Sequence, residues 1–250
     1  MLKRIHPGVI ALLIQLIMLA LIFSIIVSQS AIELSLFEWS LLQGLAAGLL
    51  SYTLRMPVWW MPIHFGFIPL VVVALALNIS STACLALFLG LLLIYGKTYK
   101  TQVPLYLSSN RVTQTLQSLL PENSRFSFVD LGSGCGGLLS HLAERNCNGA
   151  FHGIEAAPLP FLISKLRSLF GAKNCAITWG DFWQQDFSQY DVVYAYLSPV
   201  PMTALWEKAS KEMRPGSLLI SNTFSIPGVA ADHSIKLDDF SNSTLYLWKI

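Results

Sequence analysis

Charged and polar residues are spread along this chain in two regimes. Up to Gly96 the only Lys, Arg, Asp or Glu residues are Lys3, Arg4, Glu33, Glu38 and Arg55. Beyond Gly96, short apolar runs alternate with charged and glycine-rich stretches. Gly8 to Val27 is a run of 20 residues whose one strongly polar interruption is Gln15, enough to cross a hydrocarbon core of about 30 Å. A secretory signal would have a shorter apolar core and a small-residue cleavage site, so this run reads as a retained transmembrane helix, about 8–27. Trp39 to Leu54 reads as a second, about 39–54, with Gly44, Ala46, Ala47 and Gly48 allowing close helix approach. The stretch from Trp60 to Tyr95 is too long for one span and has Asn78, Ser80, Ser81 and Thr82 near its middle. It predicts a hairpin of two helices, about 60–77 and 81–95, with Trp59 and Trp60 suited to a membrane interface. A three-span arrangement with 57–66 lying along the surface stays open.

From Lys97 the periodicity changes to that of alternating strands and helices, which predicts an α/β fold with a parallel sheet. Asn110 to Leu120 is amphipathic and ends at Pro121. Phe126 to Leu131 has the aromatic and β-branched content of a strand buried on both faces. Leu138 to Arg145 is helical, Ala150 to Glu155 is a second strand, and Phe161 to Phe170 is a second crossover helix. A third strand starts at Cys175, a fourth covers Tyr190 to Tyr196, Met202 to Met213 is helical, and Ser217 to Asn222 is a fifth strand. Ile235 to Leu237 and Thr244 to Ile250 predict an antiparallel closing pair. The boundary between the two regimes gives a region 1–96 and a domain 97–250.

The chemistry concentrates where the first strand ends, at Asp130-Leu-Gly132-Ser133-Gly134-Cys135-Gly136-Gly137. Glycines at a strand-to-helix turn permit positive φ and let the backbone come close to a ligand. A dinucleotide site would show G-x-G-x-x-G with its third glycine packing helix on strand. Here an acid lies two positions before the first glycine, which suits a cation better than a pyrophosphate. Glu155 ends the second strand, and Asp181-Phe182 follows the third. Three acids thus sit at the carboxyl edge of successive strands, where open α/β sheets bind ligands.

These residues resemble the D/E-x-G-x-G-x-G motif of class I S-adenosylmethionine-dependent methyltransferases, and Arg214-Pro215-Gly216 resembles a further landmark of that superfamily. The resemblance covers residues 103–250 and implies a Rossmann-like, doubly wound methyltransferase sheet behind an N-terminal bundle of transmembrane helices. It implies a cofactor site built from Asp130, Gly132, Ser133, Gly134, Gly136, Glu155, Asp181 and Phe182. In that site Asp130 lies near the sulfonium and amino acid end, Glu155 accepts from the ribose hydroxyls, Asp181 accepts from the adenine amino group and Phe182 stacks on the ring. Residues after the fourth strand face the methyl group, which makes Tyr196, Ser198 and Pro199 the catalytic candidates; the other reading of Ser198-Pro199 is a plain turn. Tyr106 either reaches the methionine end of the cofactor or merely packs. More narrowly, Asp181-Phe182-Trp183 and Pro199 to Leu205 are similar to membrane-anchored protein-lysine methyltransferases of mitochondria and bacteria. Cys135 and Gly137 depart from the usual acid and arginine of that group.

Charge adds topology. Lys3 and Arg4 precede the first span, Arg55 follows the second, and Lys97 and Lys100 follow the last, so the positive-inside rule puts both termini in the cytoplasm. The expectation is an integral protein of the bacterial inner membrane, its methyltransferase domain cytoplasmic. The lipid bilayer is a partner, and so is either a membrane protein or a lipophilic substrate such as an isoprenoid or quinone. A membrane scaffold with a decayed domain is the non-enzyme alternative. Aminopropyl transferases share the fold but expect an acidic pair where Ser198-Pro199 stands. Of 16 Lys and Arg and 14 Asp and Glu, only three and two precede residue 97, so the second region is nearly neutral and shows no basic patch for nucleic acid. Four scattered cysteines give no pairing or metal spacing, so neither disulfide nor metal is expected. His64, among aromatic residues of the third apolar segment, is either a functional group or hydrogen-bonded structure.

Overall fold

A computed structural model describes residues 7–28, 32–98, 102–121 and 123–250. Lys3, Arg4 and Lys100, which carry part of the charge argument, lie outside the described residues. The chain divides into two compact units, Met1–Leu85 and Ala86–Ile250. The charge pattern changes after Gly96, whereas the packing divides earlier, within a helix.

The first unit is helical. It holds α1 (Pro7–Ser28), α2 (Leu36–Thr53), α3 (Trp60–Ala76) and the start of α4 (Ser81–Tyr95). Among the described residues one helix, α1, is long and apolar enough to cross a membrane; α3 and α4 are apolar but have 17 and 15 residues. Ser35 and Glu38 form a capping box at the start of α2, which satisfies amides that the helix cannot pair internally. A Cβ on Gly44 would meet the Phe65 carbonyl oxygen at 2.3 Å, so α2 touches α3 backbone to backbone at that point. Gln15, Ser40, Gln43, Ser51 and His64 are buried within this unit. Gln43 donates to Gln15 Oε1 at 2.8 Å, and the Gln15 amide lies 3.1 Å from His64 Nδ1 and donates to the His64 carbonyl at 3.2 Å. His64 is therefore a hydrogen-bonded residue of the helix packing, while Leu12, Leu16, Leu70 and Leu75 point outward.

The second unit is built on one sheet. Its elements are α5 (Asn110–Leu119), β1 (Phe126–Leu131), α6 (Gly137–Arg145), β2 (Gly149–Glu155), α7 (Pro158–Phe170), β3 (Cys175–Trp179), β4 (Val192–Ala195), α8 (Met202–Glu212), β5 (Leu218–Asn222), β6 (His233–Lys236) and β7 (Thr244–Lys249). The described strands form a seven-stranded sheet in the order β3-β2-β1-β4-β5-β7-β6. β1 to β5 are parallel, and β7 runs antiparallel to both β5 and β6. The order in which strands are added reverses between the parallel neighbours β1 and β4, which makes this the topological switch point, and a crevice opens there beyond the carboxyl ends of the strands. Phe128, Leu139, Leu142, Val112 and Leu116 fill one face of the sheet, bringing α5 and α6 onto it; Val129, Val193, Leu205 and Ala209 fill the other, under α8. This is a Rossmann-like α/β fold.

Some element ends differ from the sequence reading. β4 is shorter than 190–196, because Tyr190 and Asp191 lead in from a 3-10 turn at Phe187–Gln189 and Tyr196 already leaves the ladder. β3 stops at Trp179, and Asp181 starts a second such turn, Phe182–Gln184.

Candidate functional site

The parallel register brings the strand ends level. Asp130 pairs with Gly153 on one side and Tyr194 on the other, and Glu155 pairs with Trp179. From β1 the chain enters the glycine turn, where Gly132, Gly134 and Gly136 have φ of 76°, 54° and 70°. The Gly132 and Ser133 amides both donate to the Ile154 carbonyl, at 2.9 and 3.0 Å, tying the turn to β2. Gly136 has a second reason to lack a side chain: its Cβ would lie 2.3 Å from Ser164 Oγ on α7.

Glu155 finishes this turn. One carboxylate oxygen accepts from the Gly134 amide at 2.7 Å and the other from the Ala157 amide at 2.7 Å. The acid holds the glycine loop to the start of α7, and each oxygen keeps a second lone pair for a donor in the crevice. Asp130 is treated differently. It is 4% exposed, and no hydrogen bond from the described residues reaches its carboxyl. Burial, reinforced by the nearby charge of Glu155, pushes it up to about 8. A cation brought beside it would favour the ionised form.

Two cavities flank the turn within the second unit. One, of about 730 Å³, is lined by Glu155, Ala156, Phe182 and Trp183, with Val103 to Tyr106 across it; Ile94, Lys97 and Thr98 complete its wall. The other, of about 570 Å³, is lined by Asp130, Ser133, Ser108, Asn110 and His141. Tyr106, Gly132 and Tyr196 line both. The two together form one crevice, apolar on the Glu155 side and polar on the Asp130 side.

At the junction Tyr106 stacks on Tyr196 with ring centroids 4.8 Å apart, and Phe224 packs against them at 5.7 and 6.4 Å. The segment that carries Tyr106 is latched from below. Ser108 Oγ pairs with the Tyr194 hydroxyl at 2.9 Å, which also accepts from Asn222 at 3.1 Å, and Ser109 donates to Asp239 at 2.6 Å.

The sequence-predicted residues are thus unequally placed. Asp130, Gly132, Ser133, Glu155, Phe182 and Tyr196 line the crevice. Gly134 and Gly136 shape the turn behind it. Asp181 lines neither cavity: it is exposed, and its carboxylate accepts from the Trp183 amide at 3.1 Å to cap the 3-10 turn. Its neighbours Gly180 and Phe182 are the ones that face the first cavity. Ser198 is buried with a hydroxyl that makes no hydrogen bond, and neither it nor Pro199 lines a cavity. Sequence reasoning missed Ser108, Tyr194, Asn222 and Phe224. A polar Asn closing the apolar run of β5 was the one available signal.

The residues present fit a sulfonium nucleoside. A buried carboxyl with no hydrogen bond from the described residues faces the polar cavity, a second carboxylate ends the neighbouring strand, and an aromatic ring walls the apolar cavity.

Comparison with known proteins agrees. A family model described as ANTKMT methyltransferase domain matches residues 130–233. A protein-lysine N-methyltransferase of Saccharolobus islandicus (strain REY15A) is 33% identical over 78 residues, which is 31% of this chain and 48% of that protein. The chain therefore spans about half the length of the curated relative it matches. The solved RNA methyltransferase from Salinibacter ruber, in complex with S-adenosyl-L-homocysteine, superposes with a TM-score of 0.52 at 23% identity, covering 58% of this chain and 94% of that one. At that identity the likeness speaks for the fold. By its strand order and its glycine turn the second unit has the fold of class I S-adenosylmethionine-dependent methyltransferases, and residues 130–233 within it match a methyltransferase family model.

Proposed function

We propose that the chain is an integral-membrane methyltransferase that N-methylates a lysine of a membrane protein at the cytoplasmic face. The observation that carries this reading is the junction of the two cavities, where Gly132 faces the stacked Tyr106 and Tyr196. S-Adenosylmethionine, when bound, supplies a methyl group activated on a sulfonium. Asp130 would hold the cationic end, Glu155 the ribose hydroxyls and Phe182 the adenine face. Asp181, whose Oδ1 caps the 3-10 turn, would fix Phe182 and keep Oδ2 for the adenine amino group. Tyr106 and Tyr196 would wall the position from which a nucleophile attacks in line.

Those rings suit an amine. A neutral amine needs alignment more than proton removal during the step, and ring faces stabilise the positive charge that builds on nitrogen. The name of the curated relative, a protein-lysine N-methyltransferase, points the same way. Membrane anchorage is supported by α1, by the apolar exteriors of α2 to α4 and by the inward-turned Gln15, Gln43 and His64. Anchoring would raise the local concentration of a membrane-confined substrate. The cytosol holds the cofactor, which fits the positive-inside reading of the loops.

The test is methyl transfer from S-adenosylmethionine tritiated on its methyl group in membranes that contain the full chain. Label retained by protein, and found on a lysine Nζ by mass spectrometry, supports the proposal. Label that extracts into organic solvent assigns a lipophilic small molecule instead. Cofactor binding without any labelled product points to a non-catalytic scaffold.

A further inference from the structure

The methyltransferase domain carries an apolar surface that the crevice does not use. On α7, Leu162, Leu166, Leu169 and Phe170 follow the spacing of one helix face, with Ile163 at its border. They are 52%, 48%, 67% and 90% exposed, and Ser164 on the opposite side is the residue buried against the glycine turn. Surface leucines scattered singly are ordinary, but a contiguous patch marks an interaction site. Trp179 adds to it. Its ring stacks on Phe161 of the same helix and is 60% exposed.

Charge selects the occupant. From Ala156 to Gly180 the chain has Lys165, Arg167 and Lys173 and no Asp or Glu. Lys165 and Arg167 stand on the two borders of the apolar face, with their charged ends turned to the Ile177 and Cys135 carbonyls. An apolar helix face bordered by cations and free of acids is the pattern of a helix lying in a bilayer interface. Position agrees as well: Ile94 and Lys97 at the end of α4 line the same cavity as Ala157 and Pro160 at the start of α7. If α4 ends at the membrane, α7 begins beside it.

We infer that the outward face of α7 docks the methyltransferase domain onto an anionic lipid surface, setting the crevice at the level of the headgroups. The inference rests on the membrane anchorage proposed above. It goes further by giving the catalytic domain its own lipid contact, and it fixes which side of the domain meets the bilayer.

The experiment is photo-crosslinking of the full chain in nanodiscs of phosphatidylglycerol and phosphatidylcholine. Phe170→p-benzoylphenylalanine places the reactive group on the apolar face, and the same substitution at Glu207, exposed on α8 across the sheet, is the control. Docking predicts a lipid-mass adduct on the peptide containing residue 170, several-fold above the control and stronger than in nanodiscs of phosphatidylcholine alone. Leu166→Glu combined with Leu169→Glu should abolish the adduct and leave S-adenosylhomocysteine binding intact. Co-elution with the nanodisc but no adduct at residue 170 overturns the docking and leaves the anchor standing. A crosslinked pair of chains overturns it in favour of a second copy. Failure to co-elute with the nanodisc removes the anchorage, and the docking with it.

Discussion

Asp130→Asn is the substitution whose effects on folding and on binding should have opposite signs. Asp130 is buried and held at about 8, against 3.8 when unperturbed. A carboxyl raised in the folded chain contributes most to stability below pH about 4, and that contribution declines as pH rises towards about 8. At pH 7 the folded chain keeps the proton that the unfolded chain has lost. Retaining it from 3.8 up to pH 7 costs about 4 kcal/mol at roughly 1.36 kcal/mol per pH unit. Asn carries no such penalty, so the ligand-free variant should gain up to about 4 kcal/mol at pH 7. Binding should move the other way. A cationic ligand end favours the ionised carboxylate, and truncating one partner of a buried charge pair costs about 2–5 kcal/mol, or roughly 30-fold and upward in affinity. Thermal unfolding followed by tryptophan fluorescence reads the first effect, and calorimetric titration of S-adenosylmethionine reads the second. The native chain should also bind more weakly by up to about tenfold per pH unit on acidification from pH 8 to 6, with a flatter profile in the variant. A variant that unfolds earlier without ligand and binds within about a factor of two of the native chain would refute the reasoning.

Three further outcomes follow from the same geometry. Glu155→Gln sets an amide against one of the two backbone donors, Gly134 and Ala157, and should weaken S-adenosylhomocysteine binding by about 1.5–3 kcal/mol in calorimetry. Gly136→Ala meets Ser164 Oγ at a φ of 70°, so thermal denaturation should show a loss of at least about 1–2 kcal/mol, part of which Ser164→Ala restores in the double variant. Phe224 backs both tyrosines yet lines neither cavity; Phe224→Ala should lower kcat by about tenfold or more through misplacement of the rings, while the Kd for the cofactor changes little.

What could be read along the chain was local. The alternation of apolar runs, the glycines with forced positive φ and the acid closing β2 are each set by residues within a few positions, and the sheet assembled from them follows the α/β reading. Helices occupy the four apolar segments for the same reason, although α3 and α4 are shorter than a typical span. What escaped was non-local. Nothing near Ser108 in sequence announces Tyr194, 86 residues away, or the Asn222 amide that shares its hydroxyl. The same distance hid Phe224 behind Tyr106. Asp181 shows a local role beside the expected one. Its place after the third strand suggested a ligand, but the local turn offered the Trp183 amide first, and an Asp so placed caps its own backbone.

The most direct test is an experimental structure of the full chain with S-adenosylhomocysteine. The account predicts the ribose hydroxyls within hydrogen-bond reach of Glu155, the adenine against Phe182, the amino acid end beside Asp130 and the sulfur facing the Tyr106–Tyr196 pair. A ligand bound outside this crevice, or inside it with its ribose away from Glu155, would contradict the account.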